Sequence, residues 1–105
     1  MNSDELYRVV ISENAKNMLV SHAAFLAKVS RSAAEKLVED FSKAASSLEI
    51  MPGRGPWLNG DYIPKYRYRY ILFDKRYMLI YQIIDKTVYV DHCVDCRQDY
   101  GWLIK

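Results

Sequence analysis

Apolar positions fall into six periodic segments separated by polar or proline- and glycine-rich breaks. Leu6–Ser12 is rich in β-branched residues and reads as a short strand. Met18, His22, Phe25, Leu26 and Val29 then recur at three- and four-residue spacing, the stripe of an amphipathic helix. A second helix is predicted from near Ser32, whose hydroxyl would cap it while Glu35 completes a capping box. Its stripe is Ala34, Leu37, Val38, Phe41, Ala44, Ala45 and Leu48. It should end before Met-Pro-Gly-Arg-Gly-Pro at 51–56, where proline and glycine together break a helix. Three strands follow near Lys65–Phe73, Arg76–Ile84 and Thr87–Val94, with Asp74-Lys75 and Asp85-Lys86 as tight connections. Cys96–Ile104 is expected to be a short helix or an irregular segment laid on the sheet.

The order β-α-α-β-β-β predicts an α+β fold. Two N-terminal helices would pack on one face of a mainly antiparallel four-stranded sheet and leave the other face open. At 105 residues the chain is expected to form one domain. Half of its residues are hydrophobic and 27% charged, an ordinary globular composition. No apolar run approaches the roughly 20 residues of a membrane helix. The polar, acidic start Met-Asn-Ser-Asp-Glu is unlike a signal peptide, so no membrane partner and a cytoplasmic location are expected.

Charge sharpens this picture. The net +2 hides an asymmetry: residues 1–50 carry six Lys/Arg against seven Asp/Glu, and residues 51–105 carry nine against six. Eight of the nine tyrosines also lie at or beyond Tyr62. Between Tyr62 and Tyr81 cationic and aromatic residues alternate. If that stretch is a strand, Lys65, Arg67 and Arg69 line one side and Tyr66, Tyr68 and Tyr70 the other. The cations would face outward to bind an anion, with the tyrosines packed under the helices.

These elements and motifs resemble the RelE/ParE superfamily of type II toxin–antitoxin systems. The resemblance rests on Gly60, the Tyr66-Arg67-Tyr68-Arg69 run, Arg76-Tyr77, Tyr81 and the closing Asp95-Cys96-Arg97-Gln98-Asp99-Tyr100. It extends from about Tyr7 to Ile104. It implies a toxin neutralised by a cognate antitoxin. RelE-like members cut mRNA in the ribosomal A site; ParE-like members poison DNA gyrase without cleaving RNA. On the RelE side, Lys65, Arg67 or Arg69, Arg76, Arg97 and Tyr100 would fill the functional positions. Arg97 and Tyr100 lie three apart, a departure from the best-known RelE spacing.

The residues themselves allow the nuclease chemistry. Attack by a 2′-hydroxyl needs a proton acceptor, a proton donor for the leaving oxygen, and positive charge at the transition state. Arg76 and Arg97 supply permanent charge. Lys65 serves as base if Arg67 and Arg69 depress its pKa. His92 titrates in the useful range, and Tyr100 offers a stacking face. Arg67 and Arg69 would bind RNA. His22, on an apolar stripe, reads as structural.

Cys93 and Cys96 form a single Cys-x-x-Cys next to His92. A structural zinc site takes four ligands, so reduced cysteines and no metal or cofactor are expected. The favoured expectation is an mRNA interferase acting on ribosome-bound mRNA. A gyrase inhibitor and an inactive antitoxin-binding homologue are the alternatives. Arg54 and Trp57 fall in the 51–60 loop without an assigned role.

Overall fold

In the computed structural model, which describes residues 6–97, the elements follow the expected order. They are β1 (Arg8–Ile11), α1 (Glu13–Ala27), α2 (Arg31–Ser47), β2 (Arg69–Phe73), β3 (Tyr77–Ile84) and β4 (Thr87–Asp95). A single 3-10 turn, Pro52–Arg54, follows α2. The sheet order is β1-β4-β3-β2, with β1 parallel to β4 and the other pairs antiparallel. No helix among the described residues is long and apolar enough to cross a membrane.

Both helices open on serine caps. Ser12 accepts a bond from the Ala15 amide at 3.0 Å, and its hydroxyl donates to the Asp91 carbonyl at 3.3 Å, tying α1 to β4. For α2 the cap is Ser30, not Ser32. Ser30 is the last extended residue (φ −151°) and accepts from the Ala33 amide at 3.1 Å. Ser32 is already helical, so the expected capping box does not form. Glu35 instead lies 3.6 Å from Arg31, one helical turn earlier.

The helices close one face of the sheet. Ala15, Leu37, Phe41, Ala45 and Leu48 pack on Leu79, Tyr81, Val88, Val90 and Cys93. Phe25 and Val29, expected on the buried stripe of α1, are instead 63% and 86% exposed. Met18 and Leu26 of that stripe do turn inward, and Leu19 and Ala23 join them.

The second face is not open. Leu58, Ile63 and Tyr68, from the segment between α2 and β2, cover Met78, Ile80 and Val94. This explains why Tyr77–Tyr81 is an unbroken apolar run buried along its length: β3 is covered on both sides.

β2 is correspondingly shorter than expected. Lys65–Arg67 form a turn, with Tyr66 at φ 60°, so Lys65, Arg67 and Arg69 do not share a strand face. The turn follows Pro64, which has no amide hydrogen to offer a ladder. Leu58 donates to the Tyr68 carbonyl at 2.7 Å and fastens the covering segment to the start of β2. Tyr68 and Tyr70 pack with the loop-side cluster, not beneath the helices, and Tyr66 is exposed.

The β2–β3 connection is one residue longer than expected. Phe73 pairs with Tyr77, which leaves Asp74, Lys75 and Arg76 in the loop. Ile84 pairs with Thr87 across Asp85-Lys86, the expected two residues.

A bulge in β4 sets which side chains face where. Ile80 pairs with His92 but Tyr81 with Val90, so Asp91 is the extra residue. Strict alternation would put Val88, Val90 and His92 on one face. The bulge switches parity, sending Cys93 to the helix side and His92 to the loop side.

Candidate functional site

Two of the basic residues serve to hold backbone. After α2 the chain turns through Met51, at φ 49°, into the 52–57 segment, whose carbonyls need partners. Arg54 donates to the carbonyls of Ile50 (2.9 Å), Ser47 (3.2 Å) and Met51 (3.3 Å), closing the C-terminal end of α2. Arg69 donates to the carbonyls of Gly55 (2.6 Å) and Gly53 (3.0 Å). Its guanidinium lies 3.8 Å from the Trp57 ring centroid, a cation–π contact. Tyr81, fully buried, donates its hydroxyl to the Pro52 carbonyl at 2.5 Å. Arg54 and Trp57 thus have structural roles that the sequence left open.

A second group gathers at the end of the sheet where β3 begins and β4 ends. Tyr77 pairs with Asp95 there, and the Cys96 amide donates to the Arg76 carbonyl at 2.7 Å. Arg97 grips Asp95 through Nη2 (2.8 Å), Nε (3.2 Å) and its own amide (3.0 Å). The Arg97 side-chain hydrogen bond is the main reason the Asp95 carboxyl is held below its usual range, and the charge of Arg76 adds to it. Arg76 donates to the Tyr77 hydroxyl at 3.1 Å and lies 5.2 Å from that ring's centroid.

His92 belongs to neither group. It sits half-buried on the loop side, 6.3 Å from the Tyr68 ring, with Nδ1 3.0 Å from the Asn14 amide nitrogen. Because an amide nitrogen only donates, Nδ1 accepts and the ring is neutral in this arrangement. Burial pushes its pKa below the usual histidine value, with Asp91 opposing. Its neighbour Cys93 points the other way, and burial pushes that thiol up to about 12. Adjacent strand residues face opposite sides, so His92 and Cys93 do not converge on a common ligand. His22 reaches across to the Cys93 carbonyl at 2.9 Å.

The structure therefore brings Arg76 and Arg97 together and leaves the other named residues apart. Lys65 and Arg67 stand exposed on the 65–67 turn, Arg67 lying 5.4 Å from the Tyr68 ring. Arg69 is tied to the 53–55 backbone, and His92 lies under Tyr68. Tyr100 lies outside the described residues. No hydrogen bond or ion pair among the described residues links His92 or Lys65 to Arg76 or Arg97. Among the described residues the cations stand scattered, apolar side chains such as Phe25 and Val29 are exposed, and no base, acid and phosphate clamp are assembled. One signal in the sequence pointed this way: Met-Pro-Gly-Arg-Gly-Pro offers exposed carbonyls and almost no side chains to satisfy them, so nearby arginines are drawn inward.

Comparisons with known proteins bear on the family and the fold. The family described as the ParE toxin of the type II toxin–antitoxin system parDE matches residues 9–100. A search of curated proteins finds no match. Among solved structures, the chromosomal ParDE toxin–antitoxin system from P. aeruginosa superposes with a TM-score of 0.68 at 12% identity, covering 88% of this chain and 98% of that one. At that identity the likeness speaks for the fold.

Proposed function

The chain belongs to the ParE toxin family of type II toxin–antitoxin systems, and from that premise we propose that it acts by binding DNA gyrase and not by cutting RNA. The observation that carries this reading is the dispersal of the nuclease candidates. In-line attack on a phosphodiester needs its proton acceptor within about 3 Å of the 2′-hydroxyl, together with positive charge at the same phosphate. Here Arg69 is bound to Gly53 and Gly55, while His92 faces the loop side beneath Tyr68.

A gyrase-binding toxin needs no such assembly. It needs a surface, and the exposed Phe25 and Val29 at the end of α1 and the exposed Lys65 on the 65–67 turn offer apolar and charged contacts of the kind that protein interfaces use. Its partners are then gyrase and a cognate antitoxin, and its working compartment is the cytoplasm.

Two measurements test this together. Purified toxin should arrest supercoiling by gyrase, while primer extension on a translated reporter should find intact mRNA after induction. Codon-phased cuts that vanish in Arg97→Ala would overturn the proposal in favour of an mRNA interferase. Neither effect, in a chain that still binds antitoxin, would overturn it in favour of an inactive homologue.

A further inference from the structure

Between the helix pair and the β2–β3 hairpin lies a cavity of about 220 Å³ lined by Leu26, Ala33, Lys36, Asp74, Arg76 and Tyr77. Its charges are unequally matched. Lys36 bonds both Asp40 and, at 3.1 Å, Asp74, so the carboxylate in the wall already has a cationic partner, shared with Asp40. The guanidinium of Arg76 has only a neutral partner, the Tyr77 hydroxyl. The buried carboxylate nearest in electrostatic effect, Asp95, is gripped on both oxygens by Arg97. Among the described residues no carboxylate lies within ion-pair distance of Arg76.

The Tyr77 hydroxyl also has capacity to spare. Its oxygen accepts from Arg76, and among the described residues its own proton has no acceptor. One unmatched guanidinium and one free O–H donor therefore stand together at a concave site, with Leu26 and Ala33 as its apolar wall.

We propose that this cavity binds a carboxylate carried on a short apolar stem. The carboxylate would take a charge-assisted bond from Arg76 and a second from the Tyr77 hydroxyl, with the stem against Leu26 and Ala33. A single negative charge is favoured because Arg76 is the one guanidinium there without an ionic partner, and Asp74 in the same wall, sharing Lys36 with Asp40, repels any further negative charge such as a dianionic phosphate would bring. Small size follows from the volume, below the roughly 300–1,000 Å³ of pockets for drug-sized ligands. The ligand is either a free small acid or the side chain of a glutamate on a bound segment. The inference does not depend on how the toxin acts.

The test is an NMR titration of the isotope-labelled protein with butyrate, and separately with butyramide, at constant ionic strength. Butyrate should move the Arg76 side-chain Nε signal and the Lys36 and Tyr77 amides saturably, and butyramide should not. Arg76→Gln should weaken butyrate at least tenfold, Arg76→Lys should retain part of the binding, and Tyr77→Phe should weaken it several-fold. A short peptide with a central glutamate, compared with its glutamine counterpart, separates the sources. Tighter binding of the glutamate peptide than of butyrate assigns the site to a bound segment, and the reverse assigns it to a free acid. Equal shifts from butyramide, unchanged affinity in a folded Arg76→Gln or Arg76→Lys protein, or no saturation at tenths-molar butyrate would overturn the proposal.

Discussion

On one face of the sheet, two capped helices lay Leu37, Phe41 and Leu48 over Leu79, Tyr81 and Val90. On the other, a stretch with little regular structure lays Leu58, Ile63 and Tyr68 over Met78, Ile80 and Val94. Both faces are buried, but they are held by different means. A helix satisfies its own backbone and needs side chains only for packing and caps. An irregular segment leaves its carbonyls to be satisfied by others, and here Arg54, Arg69 and Tyr81 do so. Cations that look available for a ligand when read along the chain are thus engaged in holding the second cover in place. That difference also separates Arg69 from Arg76, two strand-edge arginines of the same charge. One is enclosed by carbonyls and an indole; the other bonds a single hydroxyl at the rim of a cavity.

Truncating the two covers should show the contrast most strongly. Leu37→Ala is expected to cost about 2–5 kcal/mol in chemical denaturation, towards the upper end because a helix packed on a sheet relaxes little into the cavity. Ile63→Ala should fall at or below the lower end, because the covering segment can settle inward. Equal losses would mean that the loop side is as rigid as the helix side.

A smaller effect is expected from Gly55→Ala, which attacks the fastening of the second cover. A Cβ there would stand 2.3 Å from the Tyr81 hydroxyl and 2.7 Å from the Tyr70 carbonyl oxygen. Because one of those atoms is backbone, the segment must move, at a cost of about 1–3 kcal/mol. Hydrogen exchange should quicken in 52–58 while α1 and α2 stay protected. Uniform loosening of both faces would show that the two covers form one cooperative unit.

The smallest effect concerns His92. Burial lowers its folded pKa below the ordinary value of 6.5, so the unfolded chain binds its proton more readily than the folded one. Its contribution is complete above pH 6.5 and is lost as pH falls from there towards the folded pKa. Replacing His92 with glutamine should flatten the stability–pH curve over that window. An unchanged slope would mean that the ring protonates in place without disturbing Asn14.

Much of the fold was legible beforehand. The 3.6-residue stripe of Leu37, Phe41, Ala45 and Leu48 announced α2 and its buried side, and the order of strands and breaks announced the toxin family. The errors have specific causes. Serines at 30 and 32 are equally good caps by type, and only the extended backbone at Ser30 decides between them. Phe25 satisfied the helical period of α1, but the buried side of that helix runs through Ala15, Leu19, Ala23 and Leu26, which leaves Phe25 on its flank. The alternation in Lys65–Arg69 met the strand pattern, yet Pro64 and the returning Trp57–Leu58 segment turn the chain before Arg69.

The sequence by itself determined the element order, the start of the second helix within two residues, the two-residue turn at Asp85-Lys86 and the kinship with ParE toxins. These depend on local periodicity and turn chemistry, which neighbours along the chain decide. Only the tertiary structure decided that the second face is covered, that Arg54 and Arg69 are engaged there, and that the Asp91 bulge turns the His92 ring towards Tyr68 and Asn14. Each of those depends on which distant carbonyl or side chain arrives alongside, and contacts across tens of residues leave no period to read.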